Sequence, residues 1–197
     1  HDNTASYAGG VYVGGYGVAN FEGCSIHDNT AGARGGGLYI AGTGTATLTN
    51  TNVYSNQATG GGGVYVQYNG VANFEGCDIH DNTASYAGGV YVGGYGVANF
   101  EGCSIHDNTA GARGGGLYIA GTGTATLTNT NVYSNQNNIY IENGRLIFSG
   151  SSQADFTGIT NMGGSIIERP APSPPLPWLP PPPLLPPPAP PTPPPPS

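Results

Sequence analysis

One asparagine returns at an almost fixed interval along this chain. Asn3, Asn29, Asn56, Asn82, Asn108 and Asn135 are separated by 26, 27, 26, 26 and 27 residues. Val11, Leu38, Val64, Val90 and Leu117 keep the same steps, as do Phe21, Leu48, Phe74, Phe100 and Leu127. Three units make a block of 79 residues, and residues 1–57 are identical to residues 80–136. The stretch "NNIYIENGRLIF" continues the pattern from Ile139 to Phe148 after a short deletion, so the chain holds five to six units. Self-similarity at such a period marks a repeat architecture, in which each unit buries its apolar face against its neighbours.

Within a unit the apolar residues alternate. In "VYV" one face carries Val11 and Val13 and the other Tyr12; in "VANFE" Ala19 and Phe21 oppose Val18, Asn20 and Glu22. After Gly23, Cys24 and Ile26 share a face, with Ser25 and His27 opposite. The Thr-rich units keep the register, with Ala46, Leu48, Thr51 and Val53 at the matching places. A period of two argues for strands with one buried side, and the glycine clusters supply turns. Three short strands in 26–27 residues, returning in register, describe one coil of an all-β, right-handed parallel β-helix. A leucine-rich repeat has a similar period, but its "LxxLxLxxN" word is absent. Stacking then puts like residues in columns. Six Asn in one column can hydrogen-bond amide to amide up the stack.

Composition divides the chain and removes some functions. All 18 prolines lie in 170–197. The expected organisation is a repeat region over 1–141, a last coil and cap over 142–169, and a proline-rich tail over 170–197. Four Arg, no Lys and a net charge of −7 leave no basic stripe for phosphates, so nucleic acid is not an expected partner. No apolar run approaches the ~20 residues of a membrane helix. The chain opens on His1, in the middle of a repeat word, and the start of the protein is expected to lie upstream.

The word "IHDNTAGARGGGLY" sets Ile26, Asn29, Ala31, Gly36–Gly37 and Leu38–Tyr39 in order. It resembles the F-x-x-N and G-G-A-I repeats of chlamydial polymorphic outer membrane proteins, and more broadly the right-handed β-helix repeats of cell-surface proteins. Ile or Val stands in place of the motif's Phe at Ile26, Val53, Ile79, Ile105 and Val132. The tail is similar to proline-rich wall proteins of algae and plants. The resemblance implies an extracellular or cell-surface protein with an adhesive or structural role.

Several columns are candidate sites. Tyr12, Tyr39, Tyr65, Tyr91, Tyr118 and Tyr140 each stand between two inward aliphatics and are expected to form an outward ridge. Such a ridge can stack on sugar faces or dock another chain, or it can only stabilise the strands beneath it. Asp28, Asp81 and Asp107 follow His27, His80 and His106, while Glu22, Glu75 and Glu101 form a second acidic column. The calcium nonapeptide is absent, and Tyr54 and Tyr133 interrupt the His column, so a solvated polar face is expected and no metal. Cys24, Cys77 and Cys103 share an inward column without a C-x-x-C pair. They read as core thiols, with a Cys77–Cys103 disulfide geometrically conceivable. The Thr face of "TGTATLTNT" recurs in only one unit in three, too broken for an ice-binding array.

No unit carries an extra loop, and the candidate acids recur as copies of one another. General acid–base chemistry needs unlike groups with separated pKa values, so no enzyme and no cofactor is expected. The expected function is an extracellular or cell-surface structural or adhesive rod, presenting repeated columns to glycans, wall components or proteins. Two alternatives stand beside it. One is an inactive or fragmentary relative of β-helical polysaccharide-active enzymes. The other is a scaffold whose tail, with "LPPPP" at 179–183 and Trp178, docks a polyproline II-binding domain. As polyproline II the tail would be a stiff spacer of roughly 85 Å.

Overall fold

A computed structural model describes residues 1–150 and 158–170. The chain winds as a parallel solenoid without an α-helix among the described residues. Its strands fall into four sheets, and every strand-to-strand pairing is parallel. The three expected strands recur as Val11–Val13, Val18–Glu22 and Ser25–His27 in the first coil. A fourth, short one lies just after each Asn: Thr4–Ala5, Thr30–Ala31, Gln57–Gly60, Thr83–Tyr86 and Thr109–Arg113. It buries only one Ala per turn, such as Ala84, and so carries little hydrophobic signal. Five coils contain all four strands. The deletion before Ile139 removes the fourth strand, and the last turns pair through Ile139–Glu142 with Ile159–Met162 and Arg145–Ser149 with Ser165–Glu168. The proline-rich tail expected as polyproline II, with Trp178 and 179–183, lies outside the described residues from 171 onward.

Register is one-to-one. Val71–Glu75 pairs residue for residue with Thr45–Thr49 on one side and Val97–Glu101 on the other. The core is therefore a set of vertical files: Leu38, Val64, Val90, Leu117 and Ile139 in one, Ile40, Val66, Val92, Ile119 and Ile141 in the next, all fully buried. Phe74 and Phe100 stack in a third file with centroids 4.7 Å apart.

The Asn file lies at one corner. The preceding residue takes a left-handed backbone: Asp28, Ser55, Asp81, Asp107 and Ser134 have φ of 52–54°. Asp tolerates that region better than most residues, which accounts for the Asp of "HDN". The turn aims the Asn inward. Asn56 donates from Nδ2 and from its backbone N–H to Asn82 Oδ1, both at 3.0 Å, and Asn82 repeats both bonds to Asn108 Oδ1. Nδ2 also donates to a carbonyl of the coil before, as Asn82 does to Val53 at 2.9 Å. The ladder runs from Asn3 to Asn135 and ends on Asn138 Oδ1. The glycine pairs face this ladder. A Cβ on Gly63 would lie 3.0 Å from Asn82 Nδ2, and one on Gly62 would lie 2.5 Å from the Gly88 carbonyl. The Asn and the Gly-Gly of each repeat are thus one packing device.

Replacing Asn82 with Ala removes these bonds and orphans the buried Asn56 N–H. Urea unfolding is expected to show a loss of about 3 kcal/mol, against about 1 kcal/mol or less for Asn3→Ala at the exposed end. Equal small losses at both positions would contradict the ladder's role.

Candidate functional site

The tyrosine row exists, but most of it is not exposed, and this corrects the expectation of an open ridge. Tyr39, Tyr65 and Tyr118 are buried, Tyr91 and Tyr140 are partly buried, and only Tyr12, on the first coil, is 61% exposed. The rings run up the outside of their sheet with centroids 5.3, 5.5, 4.2, 5.3 and 5.3 Å apart from Tyr12 to Tyr140, mostly edge to face. The end of the fourth strand and the segment joining it to the "VYV" strand fold back over them. They bring Tyr7 beside Tyr39 and Tyr86 beside Tyr91 and Tyr118. The row therefore forms a second small apolar layer, with Ala41 among its members.

Where this layer opens, it leaves a groove of about 430 Å³ lined by Tyr86, Tyr91, Ala112, Arg113 and Tyr118. The extra residue of the 27-residue coil shifts the pairing so that Tyr86 lies against Arg113. Arg113 Nη1 donates to Tyr118 Oη at 3.2 Å and to Glu142 Oε2 at 2.8 Å, and Tyr118 Oη donates to the same carboxylate. Arg113 also lies over the Tyr140 ring, 5.3 Å from its centroid. The duplication supplies a second set, Tyr7, Tyr12, Ala33, Arg34 and Tyr39, in which Arg34 lies over the Tyr65 ring, 5.5 Å from its centroid. No acid takes Glu142's part there: Gln67 Nε2 donates to Tyr39 Oη instead. Other tyrosines project from turns, Tyr16 at 92% exposure, Tyr95 at 66% and Tyr68 at 55%. Their "GGYG" and "QYNG" words read only as turns in the sequence.

The His column is continuous. His1, His27, Tyr54, His80, His106 and Tyr133 stack near-parallel with centroids 4.8–5.2 Å apart, so Tyr54 and Tyr133 extend the column that they were expected to interrupt. Each His Nδ1 contacts the Asp that follows it, at 2.6 Å for His27 and 2.7 Å for His106. His106 Nε2 also lies 2.9 Å from Asp78 Oδ1. Among the described residues no group of three or more His, Cys, Asp or Glu is gathered as metal ligands would be. Glu75 and Glu101 face outward beside Asn73 and Asn99, which are joined at 2.9 Å. The three cysteines are free thiols, Cys77 and Cys103 buried and Cys24 exposed. The Cys77 N–H donates to Cys103 Sγ at 3.4 Å. Contact with Cys77 and burial hold the Cys103 thiol above its usual range.

The family model described as right handed beta helix region matches residues 36–163. The chain belongs to the right-handed β-helix family. No curated protein and no solved structure matches it. The family match and the parallel coils together fix the architecture, and membership by itself selects no ligand.

In this β-helix Tyr65, Tyr91 and Tyr118 are held protonated. Burial first, then the hydrogen bond to Glu142, pushes Tyr118 up to about 12, and burial also raises Tyr65 and Tyr91. Unfolded, these phenols ionise near 10.0. The folded state then holds more protons above that pH, so the stabilisation is complete below pH 10 and is lost as pH rises through 12. Denaturant midpoints are expected to be flat up to about pH 9 and to fall steadily above 10. A midpoint that stays constant through pH 11 would contradict the burial of the row.

Proposed function

We propose that this β-helix is an extracellular or cell-surface structural rod that adheres to glycans through its repeated arginine–tyrosine edge. The observation that carries this reading is the recurrence of one chemical group at two heights. Arg34 with Tyr7, Tyr12 and Tyr39 is repeated as Arg113 with Tyr86, Tyr91 and Tyr118. Three coils separate the two sets, about 14 Å along the rod. Aromatic faces suit the apolar faces of sugar rings, and a guanidinium supplies donors to hydroxyl or carboxylate oxygens. Each set is shallow, so a single contact is weak. A rigid spacing converts two weak contacts into one stronger attachment when the ligand spans both.

A non-catalytic role fits the outward acids. Glu22, Glu75 and Glu101 repeat one another down a column of like groups, whereas acid–base catalysis uses paired acids held apart in pKa by unlike environments.

A glycan array followed by titration against an immobilised hit tests the proposal. Arg113→Ala with Tyr86→Ala is expected to lower apparent affinity by about tenfold or more through loss of one of two linked contacts, and adding Arg34→Ala with Tyr7→Ala is expected to abolish binding. If the fourfold variant bound glycans as the natural chain does, the edge would have no part in adhesion.

A further inference from the structure

The duplication sets the same arginine and the same tyrosine twice on the covered edge, and only the coil that follows them differs. Arg34 and Tyr39 lie in residues 1–57, and Arg113 and Tyr118 are their counterparts in the identical residues 80–136. Val66 pairs with Ile40, and Ile141 pairs with Ile119. The next residues along, Gln67 and Glu142, therefore hold equivalent places beside the two copies. They have nearly the same shape and differ by one charge, so one site stands in the rod in two electrostatic states.

In the copy beside Glu142 the donors are already used. Arg113 Nη1 donates to Glu142 Oε2 at 2.8 Å, and the Tyr118 O–H donates to the same oxygen. Guanidinium and carboxylate neutralise each other there. This copy also shows what an arginine and a phenol so placed can hold between them, namely one oxygen of a carboxylate.

In the copy beside Gln67 the same donors meet no acid. Gln67 is buried, and its Nε2 donates to Tyr39 Oη. The Tyr39 oxygen thus accepts where that of Tyr118 donates, and its own hydrogen is not drawn to a carboxylate. Arg34 is half-buried and lies over the Tyr65 ring. It belongs to none of the ion pairs among the described residues. Arginine has donors and no acceptor, so this copy is left with a positive charge that no side chain balances. Bonds from a guanidinium to an oxyanion are about twice as strong as those between neutral groups. A partly buried charge is also screened less than one in open solvent.

We propose that Arg34 with Tyr39 is an oxyanion subsite for an acidic sugar unit, one that carries a carboxylate or a sulfate ester, and that the residue at the Gln67/Glu142 place sets the charge of the ligand. Gln67 leaves its copy open to an anion, and Glu142 fills the other copy from within. The inference rests on the glycan adhesion proposed above and gives it a direction. The acidic unit sits at the Arg34 end, and a neutral unit sits three coils away at the Arg113 end.

Calorimetric titration of the full chain tests this with three ligands: an oligosaccharide containing a uronic acid, its carboxyl-reduced neutral counterpart, and that counterpart bearing a sulfate ester. The natural chain is expected to bind the uronate about tenfold more tightly than the neutral form. Gln67→Glu, which supplies an internal acid, is expected to bring the two to parity. Arg34→Gln is expected to do the same without adding a buried charge, and it decides the matter if Gln67→Glu does not fold. Glu142→Gln, which frees Arg113 and Tyr118, is expected to widen the preference by about a further fivefold. A sulfate ester that follows the uronate assigns the subsite to oxyanions in general, and one that follows the neutral form assigns it to carboxylates. The proposal is overturned if the preference survives Arg34→Gln, or if the natural chain binds uronate and neutral forms equally. Equal binding that the fourfold edge variant loses would leave the adhesive edge standing without its anion subsite. Binding of none of the three ligands would remove both.

Discussion

Parallel, in-register pairing between successive coils is the constraint on which this molecule depends. Each coil must offer its successor the hydrogen-bonding edge and the side-chain relief that it received from its predecessor. That requirement explains why the sequence repeats so closely. A residue that changes in one coil meets two neighbours rather than one, so files admit only substitutions of similar shape: Val for Leu, Leu for Phe, Thr for Cys. The Asn ladder is the sharpest case. The amides of Asn56, Asn82 and Asn108 are buried, and each satisfies a backbone N–H and a carbonyl that a coil corner would otherwise leave without partners. An Asn at this corner works because another stands one coil above and one below.

Much of this was legible because the two controlling periods, two residues along a strand and 26–27 along the chain, both leave marks in a sequence. Alternation located the inward files, and the period located the ladder. The unread parts have physical reasons. Tyr39 and Tyr65 do point away from the core, as alternation requires, but alternation cannot tell solvent from a second layer. The covering segment, typified by Tyr86 and Arg113, has no periodicity and reads as loop. The fourth strand is short and buries little. Tyr54 and Tyr133 were read as breaks in a histidine column because their residue type differs, yet ring stacking asks only for a flat face. Asn138 lies outside the repeat spacing and still takes the next place in the ladder, because the deletion before Ile139 brings it there.

The same architecture shapes what the surface can do. Chemistry placed on a strand or corner is copied at the next coil or the next block. The attachment proposed above relies on that repetition, which adds affinity when one ligand spans several copies. The arginine–tyrosine edge recurs three coils apart because the whole block recurs, and its two members differ where Glu142 replaces a neutral partner.

Spin-label distances along one file test the stacking directly. With the three cysteines replaced, label pairs at Ser25 with Ser104 and at Ser25 with Asn131 span three and four coils of one sheet. The account predicts backbone separations of about 14 and 19 Å, an increment of one coil, about 4.8 Å. Separations that do not grow by one coil spacing, or that spread over tens of ångströms, would contradict a rod of stacked parallel coils.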